Sequence, residues 1–350
     1  EISCSLVGSE MCIRDRYRMT LVKTFLKTVI TVGVLGTVLF GLTACGSKNE
    51  QSNEVNIGYF NNITHPQALL MKAEGSLEKS LGEDIKVNWT AFNAGPAEVE
   101  ALFAGSIDIG YMGPVPAITA NVKSKGDVQI LSGATKGGAV LIKREGTDIS
   151  SVADLKGKTV AIPQIGNTQH LNLLNLLSEN NLKPVSEGGD VNVIAVSNAD
   201  IGNTMERGDI DAALVPEPWG ATLLEQGAEL VLDYDEIYLQ GDYDVALVVV
   251  RKEFHKEHPE IVEKFLEQHQ LMTDRINTDK EKTLEIMNTE LKEATGKALD
   301  TRILQEAFER IGVSTELNKA SISGFAQISK EQDVISEIPK EEQLYVSGDK

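Results

Sequence analysis

The chain has 350 residues, of which 52 are acidic and 33 basic, so its formal net charge at pH 7 is −19. Proteins that bind nucleic acid neutralise phosphates with lysine and arginine, and this acidic balance argues against nucleic acid as a partner. The composition is 41% hydrophobic and 24% charged, which agrees with an ordinary soluble domain. A global acidity of this kind serves solubility, so any bound anion must be attracted locally.

The first informative segment is a short apolar run that follows basic residues, which is the layout of a signal peptide. Lys23 and Lys27 precede Val29–Leu42, and this run falls short of the roughly 20 apolar residues that a spanning helix needs. The residues Leu-Thr-Ala-Cys that end at Cys45 resemble the bacterial lipoprotein box. The resemblance implies that Cys45 is lipidated, and two or more acyl chains anchor a protein stably. We therefore predict a lipoprotein signal peptide at residues 19–44.

Residues 1–18 fit neither a signal peptide nor a fold. The stretch Ser5–Arg16 resembles a translated sequencing adapter, and we expect residues 1–18 to be an assembly artefact. Cys4 and Cys12 lie within that segment, which leaves Cys45 as the one cysteine of the predicted protein. With that thiol lipidated, the sequence predicts no disulfide, cysteine metal site or thiol nucleophile.

A polar tether is predicted at residues 45–54. From Val55 onward, short apolar runs alternate with amphipathic segments. This alternation predicts an α/β protein with largely parallel sheets, and the length predicts two lobes. The predicted strands are Val55–Tyr59, Ile85–Ala91, Ile107–Tyr111, Val128–Ser132, Ala139–Lys143, Thr159–Pro163, Val191–Val196, Ile210–Val215, Glu229–Asp233 and Val245–Arg251.

Amphipathic helices are predicted between these strands, and the pattern becomes helical after Arg251. Leu171, Leu174 and Leu177 share one face of the predicted helix Thr168–Asn180, and we predict that they lie in the core. The predicted helices are His65–Leu81, Thr168–Asn180, Pro259–Arg275, Lys280–Thr295 and Asp300–Ile311.

Several predicted strands run directly into residues that begin a helix and leave its first amides open. Thr64 precedes Pro66 in this way, and Gly113 and Thr168 stand at similar helix starts. These loops emerge at the carboxyl ends of parallel strands, where open α/β sheets bind ligands. Because the first amides of a helix favour anions, we expect an anion pocket with few cations. Lys136 is the cation that these loops contribute.

Five stretches together resemble the nitrate, sulfonate and taurine family of importer-associated solute-binding proteins. They are Ile57–Phe60, Glu100–Tyr111, Val152–Ala161, Arg207–Ala212 and Glu217–Trp219, in the family's order and spacing. Among them the second stretch is fairly specific. The resemblance covers nearly the whole chain beyond the tether.

The resemblance implies the type II periplasmic-binding-protein fold, in which two α/β lobes hold the ligand between them. Lobe I is then expected at residues 55–138 and 246–350, and lobe II at residues 139–245. The segments Ala139–Lys143 and Val245–Arg251 are the candidate crossings between the lobes.

By position in the motifs, the family's pocket falls on loops from both lobes. The candidate binding residues are Asn61, Asn62, Thr64, His65, Asn93, Gly95, Gly113, Pro114, Thr135, Lys136, Gly137, Asn167, Thr168, Gln169, Asn198, Asp200, Glu217 and Trp219.

The head group of the ligand is expected at Thr168, together with the backbone amides of Asn167–Gln169. A helix start supplies about half a positive charge and oriented donors, and Lys136 would add a full charge. Charge-assisted hydrogen bonds contribute roughly 1.5–3 kcal/mol each. Three or four of them could hold a small anion near micromolar affinity after the losses of association.

The organic tail of the ligand is expected to lie between aromatic side chains. Phe60, Tyr111 and Trp219 are the candidates for this border. Glu217 or Asp200 would pair with an amine if the ligand were like taurine.

The function implied is that of the extracytoplasmic solute-binding component of an ABC importer. Such a protein captures a small anion, here above all an alkanesulfonate or taurine, closes its lobes on it, and delivers it to a membrane permease and its ATPase. We expect a monomer without catalytic activity, cofactor or metal. Lipidated Cys45 would keep the protein at the outer face of the cell membrane, which suits a Gram-positive bacterium.

Other functions stay open at this stage. The ligand could be nitrate, bicarbonate or a pyrimidine precursor of thiamine. The same fold hosts sulfinate-cleaving enzymes, which need a cysteine nucleophile that the sequence lacks beyond Cys45, and pyrimidine-forming enzymes, which are not lipoproteins. A surface adhesin or a sensor is the third class, and it would be favoured if the cleft bound nothing small.

Overall fold

The computed structural model describes residues 53–296 and 298–346. The predictions for residues 1–52, including the signal peptide and the lipid on Cys45, lie outside the described residues. Within the described part, no helix combines the length and the apolar character that crossing a membrane requires.

The described strands form two sheets, one of six strands and one of five. In chain order the strands are β1 (Glu54–Phe60), β2 (Lys86–Phe92), β3 (Ile109–Met112), β4 (Val128–Gly137), β5 (Ala139–Lys143), β6 (Thr159–Ile162), β7 (Asn192–Ala195), β8 (Ala212–Pro216), β9 (Glu229–Leu232), β10 (Asp244–Arg251) and β11 (Ile311–Val313). The first sheet has the order β11-β4-β10-β3-β1-β2, and the second has the order β7-β6-β8-β5-β9. The predicted α/β class is confirmed, and every predicted strand is present within a few residues.

The sheets are mixed, so the prediction of largely parallel sheets was wrong. In the first sheet β1 is parallel to β2 and β3, whereas β10 is antiparallel to β3 and β4. In the second sheet β6 is parallel to β7 and β8, whereas β5 is antiparallel to β8 and β9. A parallel neighbour needs a helical crossover within its own sheet. Strands β4, β5, β9 and β10 instead flank the places where the chain changes sheets.

Those two places differ from the predicted crossings. Ala139–Lys143 is strand β5 of the second sheet, and Val245–Arg251 belongs to β10 of the first. The chain leaves the first sheet through Gly137 and Gly138, whose φ angles of 69° and 74° favour glycine. It returns through residues 233–243, between β9 and β10. The apolar residues made the strands recognisable in the sequence. The short connections next to them have no comparable signal and were not predicted.

The helices of the described residues pack on both faces of the sheets. In chain order they are α1 (Pro66–Glu74), α2 (Ser76–Leu81), α3 (Gly95–Phe103), α4 (Pro114–Lys123), α5 (Thr168–Glu179), α6 (Asn198–Glu206), α7 (Trp219–Glu225), α8 (Tyr234–Ile237), α9 (Lys252–Glu257), α10 (Pro259–Thr278), α11 (Lys280–Thr295), α12 (Thr301–Glu309), α13 (Lys319–Glu331) and α14 (Glu341–Leu344). The predicted helix His65–Leu81 is broken at Gly75, which ends α1 with a left-handed φ of 57°. The short strand β11 was missed because Ile311 was assigned to the preceding helix.

Strand β10 shows how the core is built. Its sequence DVALVVVR is rich in β-branched residues and is buried on both faces. Leu247 and Val249 belong to one buried cluster, and Val248 and Val250 belong to another, because successive side chains point to opposite faces. The first of these clusters also contains Leu141 of β5, so a continuous core joins elements of the two sheets.

A buried polar network fixes β3 against β4 and α10. The hydroxyl of Tyr111 donates to Nδ1 of His269 at 2.8 Å, and Nε2 of His269 donates to the carbonyl of Gly133 at 2.8 Å. The acceptor at Gly133 assigns the proton to Nε2 and so makes Nδ1 an acceptor. Burial lowers the pKa of His269 to about 4, which keeps this ring neutral.

Candidate functional site

A cleft lies at the carboxyl ends of β1, β2 and β3 of the first sheet and of β6, β7 and β8 of the second. The empty space within it and at its mouth, open solvent included, amounts to about 400 Å³. The walls are the loops that follow these strands, together with the start of β10. The lining residues are Phe60, Asn62, Thr64, His65, Asn93, Ala94, Gly95, Gly113, Pro116, Pro163, Asn167, Thr168, Gln169, Asn198, Pro216 and Val245.

Two helix starts at the cleft have no side-chain cap. Ala94 is the residue that precedes helix α3, and Gly113 is the residue that precedes α4. Neither has a side chain that could accept a hydrogen bond from the first amides of its helix. Those amides have no acceptor within their own helix. The helix start also carries a partial positive charge. The amide of Gly95 is therefore a donor for a negative group in the cleft.

Thr168, the first residue of α5, brings a buried hydroxyl to the cleft. Its Oγ1 has no hydrogen-bond partner among the described residues. A buried hydroxyl left without a partner costs about 1–3 kcal/mol. We therefore expect Thr168 to bond to a group that enters the cleft.

Gly113 makes the room that Thr168 occupies. A Cβ added at Gly113 would come within 2.1 Å of Oγ1 of Thr168. The backbone of Gly113 has φ −70° and ψ 162°, a conformation open to any residue. Glycine is thus required at this position by space and not by backbone freedom.

The start of α5 is organised by its own side chains. Oδ1 of Asn167 accepts from the amide of His170 at 2.8 Å, which caps the helix. Nδ2 of Asn167 donates to Oε1 of Gln169 at 3.1 Å. Because its oxygen is engaged in this way, Gln169 keeps two N–H donors for the cleft, beside the amides of Thr168 and Gln169.

Hydrogen bonds within the loop and from strand β4 hold the loop between β1 and α1 in place. Oδ1 of Asn62 accepts from the backbone amide of Thr64 at 3.0 Å and from its hydroxyl, which leaves the N–H donors of Asn62 uncommitted. The hydroxyl of Thr135 donates to the carbonyl of Thr64 at 2.7 Å. The predicted helix cap at Thr64 was wrong, because the residue that precedes α1 is His65.

His65 is a neutral donor in the lining of the cleft. Its Nδ1 accepts from the amide of Phe60 at 3.0 Å, so the proton of the neutral ring lies on Nε2. Burial lowers the pKa of His65 to about 3. The ring stacks on Phe60 with 4.3 Å between the ring centres, which fixes its orientation.

The match to a family model decides the classification of this chain. Residues 48–289 match the NMT1-like family. The chain belongs to the NMT1-like family. The resemblance noted in the sequence is thereby confirmed.

Curated relatives of this NMT1-like protein are binding proteins by name. The taurine-binding periplasmic protein of Escherichia coli is 30% identical over 216 residues, which are 61% of this chain and 64% of the relative. The putative aliphatic sulfonates-binding protein of Escherichia coli is 33% identical over 180 residues, or 51% and 54% of the two chains. That of Bacillus subtilis is 28% identical over 67% of this chain and 70% of the relative. The chain thus spans less than two thirds of the two Escherichia coli proteins.

Solved structures establish the fold. The alkanesulfonate-binding protein SsuA from Xanthomonas axonopodis pv. citri, bound to MOPS, has a TM-score of 0.68 at 22% identity and covers 84% of this chain and 96% of its own. The nitrate-binding protein NrtA from Synechocystis PCC 6803 has a TM-score of 0.67 at 15% identity, with coverages of 82% and 83%. The predicted periplasmic-binding-protein fold is confirmed.

Many of the residues predicted for the pocket of this NMT1-like protein do lie together in the cleft. They share a position at a helix start or in the loop before it. These residues are Asn62, Thr64, His65, Asn93, Gly95, Gly113, Asn167, Thr168, Gln169 and Asn198.

Lys136 and Glu217 do not line the cleft. Lys136 Nζ pairs with Oδ1 of Asp242 at 2.8 Å, so the full charge expected in the pocket lies elsewhere. The fully buried Glu217 is bonded by Nη1 of Arg310 at 3.0 Å and by the amide of Ala221 at 2.9 Å. Both side chains satisfy their charge within the protein.

The remaining predicted residues outside the lining have other surroundings. Asp200 accepts from the hydroxyl of Ser197 at 2.5 Å at the exposed start of α6. Trp219 packs on the core of the second sheet, and Tyr111 is buried in the network described above, so of the three aromatic residues predicted beside the ligand Phe60 alone lines the cleft. Asn61, Pro114, Thr135 and Gly137 also lie outside the lining.

Apart from Phe60, the sequence reasoning did not single out the apolar side chains of the lining. Pro163, Pro216 and Val245 come from strand ends and a strand start, and Ala94 and Pro116 come from helix starts. Each is close in sequence to a predicted polar residue or at the end of a predicted strand. The strand ends were therefore the signal that could have found them.

The buried ring of His65 predicts a loss of stability in acid. An unfolded histidine titrates near 6.5, so below that pH the unfolded chain binds a proton that folded His65, with a pKa of about 3, excludes. This contribution to stability is complete above pH 6.5 and decreases by about 1.4 kcal/mol per pH unit on acidification. The His65→Gln variant keeps an acceptor for Phe60 without the titration. Denaturant unfolding of both proteins from pH 7 to 4.5 should show the wild type losing about 2–3 kcal/mol more than the variant, and parallel curves would contradict the assignment.

Proposed function

We propose that this NMT1-like protein is the extracytoplasmic solute-binding component of an ABC importer, and that it captures a small organic anion of the alkanesulfonate kind in the cleft. The observation that carries the proposal is the buried, unpartnered hydroxyl of Thr168 at a helix start that faces other helix starts across the cleft. Helix starts offer oriented amides and partial positive charge to an anion.

The donors of the cleft suit a tetrahedral head group that spreads one charge over several oxygens. The hydroxyl of Thr168, the amides at the start of α5 and the side chains of Gln169 and Asn62 come from both sides of the cleft, with Nε2 of His65 below. Hydrogen bonds to a charged group contribute about 1.5–3 kcal/mol each. Three or four such bonds support an affinity near 1 μM, about −8 kcal/mol, after the costs of association.

The apolar lining favours an organic ligand over nitrate. Phe60, Pro163, Pro216 and Val245 offer surface that an alkyl tail would bury at about 25 cal/mol per Å². Nitrate has no tail to cover this apolar surface. The names of the taurine- and sulfonate-binding relatives support the same class of ligand.

A binding role is proposed in preference to an enzyme. His65 is the only titratable side chain of the lining, and its Nδ1 is committed to the amide of Phe60. A group held neutral and hydrogen-bonded in this way is suited to donate to a ligand and not to shuttle protons. The relatives that match this chain are likewise named as binding proteins.

The two sheets support a proposal of two lobes that close on the ligand. Lobe I would comprise residues 55–138 and about 244–346, and lobe II residues 139–243, since the strands β5–β9 form the second sheet. Neither lobe alone supplies all of the donors, so closure and binding are coupled. The closed monomer would deliver the ligand to a permease and its ATPase, and lipidated Cys45 would hold it at the membrane of a Gram-positive cell.

Thr168→Val tests this function directly. The variant replaces the hydroxyl by a methyl group of similar shape, and we expect the affinity for ethanesulfonate to decrease at least about tenfold, since a bond to a charged group is lost. Isothermal titration calorimetry of the purified protein measures the change. Nitrate and an aminopyrimidine serve as comparison ligands.

The control is Thr168→Ser, which keeps the hydroxyl and loses one methyl group. It should bind ethanesulfonate within a few-fold of the wild type. If ethanesulfonate did not bind the wild type while the aminopyrimidine did, the importer role would survive with another ligand. If Thr168→Val bound as tightly as Thr168→Ser, the head group would not lie at Thr168.

A further inference from the structure

The cleft offers donors for a negative group but no carboxylate for a positive one. The lining side chains are amides, hydroxyls, apolar groups and the ring of His65, and that ring is neutral. An ammonium group in this cleft would face the positive ends of helices α3, α4 and α5.

The two carboxylates that the sequence proposed for an amine have other partners. Glu217 is fully buried and bonds to Nη1 of Arg310 at 3.0 Å and to the amide of Ala221 at 2.9 Å. Asp200 accepts from the hydroxyl of Ser197 at 2.5 Å and is exposed. Neither belongs to the lining of the cleft.

Two further carboxyl groups lie on elements that contribute to the cleft, and neither belongs to its lining. Asp244 precedes Val245 on β10, and its Oδ2 accepts from the amide of Asn318 at 3.1 Å. Glu98 of α3 is buried against the first sheet, where a Cβ added at Gly58 would come within 2.1 Å of its Oε1. Successive strand residues point to opposite faces, so Val245 can face the cleft while Asp244 does not.

We propose that the cleft selects organosulfonates that lack an ammonium group, and that it therefore rejects taurine, although a relative carries the name taurine-binding protein. The inference rests on the proposed function and names the substrate class of the same site. Burying an ammonium group without a carboxylate to pair with it is strongly unfavourable. The helix starts that hold the sulfonate would in addition repel it.

The test compares ethanesulfonate with taurine, which differ by the ammonium group. Calorimetry at pH 7 on the purified protein should give an affinity for taurine at least about 100-fold weaker than that for ethanesulfonate. Taurine binding as tightly as ethanesulfonate would overturn the inference and leave the proposed function intact. Binding of neither compound would overturn both the inference and the proposed sulfonate ligand, and the importer role would then need another ligand.

A designed switch adds a second readout. Asn198 lines the cleft at the start of α6, and its Oδ1 is buried without a partner among the described residues. Asn198→Asp keeps the shape and introduces the missing carboxylate. The ratio of taurine to ethanesulfonate affinity should rise at least about tenfold, because an opposite charge now faces the ammonium group.

The matched control is Asn192→Asp on β7, an exposed position outside the lining. It makes the same change of charge, and the affinity ratio should stay at the wild-type value. An unchanged ratio in Asn198→Asp, or an equal rise in both variants, would contradict the view that the neutral lining sets the preference.

Discussion

Replacing Arg310 with methionine is expected to lower the free energy of unfolding by about 3–5 kcal/mol at pH 8, because it leaves a buried carboxylate without its cation. Arg310 lies between α12 and β11 of the first sheet. Its Nη1 is 3.0 Å from Oε1 of Glu217, and its Nε is 2.8 Å from Oδ1 of Asp233. Both acids follow strands of the second sheet, so the guanidinium joins segments of the two sheets beside the crossings.

The loss should increase with pH. Burial raises the pKa of Glu217 to about 6 even with Arg310 in place, and removal of the guanidinium would raise it further. A raised carboxyl pKa means that the folded state keeps a proton which the unfolded chain releases above about 4.5. The contribution of Glu217 to the free energy of unfolding is then fully present at low pH. It is lost as the pH rises toward the pKa of Glu217 in the folded state. The effect of Arg310→Met should therefore be about 2–3 kcal/mol smaller at pH 5 than at pH 8.

Denaturant unfolding at both pH values measures this, with two further variants as controls. Arg302→Met removes an exposed arginine that pairs with Glu225 and Glu306, and such surface pairs contribute about 0–1 kcal/mol. Adding Glu217→Gln to Arg310→Met removes the unpaired carboxylate and should restore part of the stability. An equal loss at both pH values, or strict additivity of the two substitutions, would contradict the ion-pair account.

The strands could be predicted from the sequence because each is a short apolar run between turn residues. Segments such as Val128–Ser132 and Ala139–Lys143 were correctly assigned as strands, since burial requires such runs. Their direction was not predictable in the same way. It depends on where the chain changes sheets, and the signal for one change is only the pair Gly137 and Gly138.

The polar part of the cleft was predictable because helix starts have a local signature. Gly113 and Thr168 were found from capping residues and prolines that stand at the ends of predicted strands. The same reasoning could not tell which polar side chains already have a partner in the protein. Glu217 meets Arg310, which lies 93 positions later in the chain, and no local pattern reports such a long-range pair.

Gly113→Ala is expected to reduce ethanesulfonate affinity at least about 100-fold while lowering the stability by only about 1–3 kcal/mol, the usual cost of overpacking. The added Cβ would come within 2.1 Å of Oγ1 and 3.2 Å of Cβ of Thr168. The start of α5 must then move away from the start of α4. Because the start of α5 carries the hydroxyl and amide donors proposed for the head group, a shift of about 1 Å at this contact lengthens the bonds that they make to a ligand.

Gly312→Ala is the matched control, because a Cβ at Gly312 would meet nothing closer than Cβ of Lys136 at 3.7 Å. It should bind ethanesulfonate like the wild type in calorimetry. The double variant Gly113→Ala with Thr168→Ala removes Oγ1, the atom of the closest clash, and should recover stability without recovering affinity, since the hydroxyl is gone. Affinity at the wild-type level in Gly113→Ala would mean that the ligand does not depend on the close approach of the two helix starts, and closure on it would need another origin.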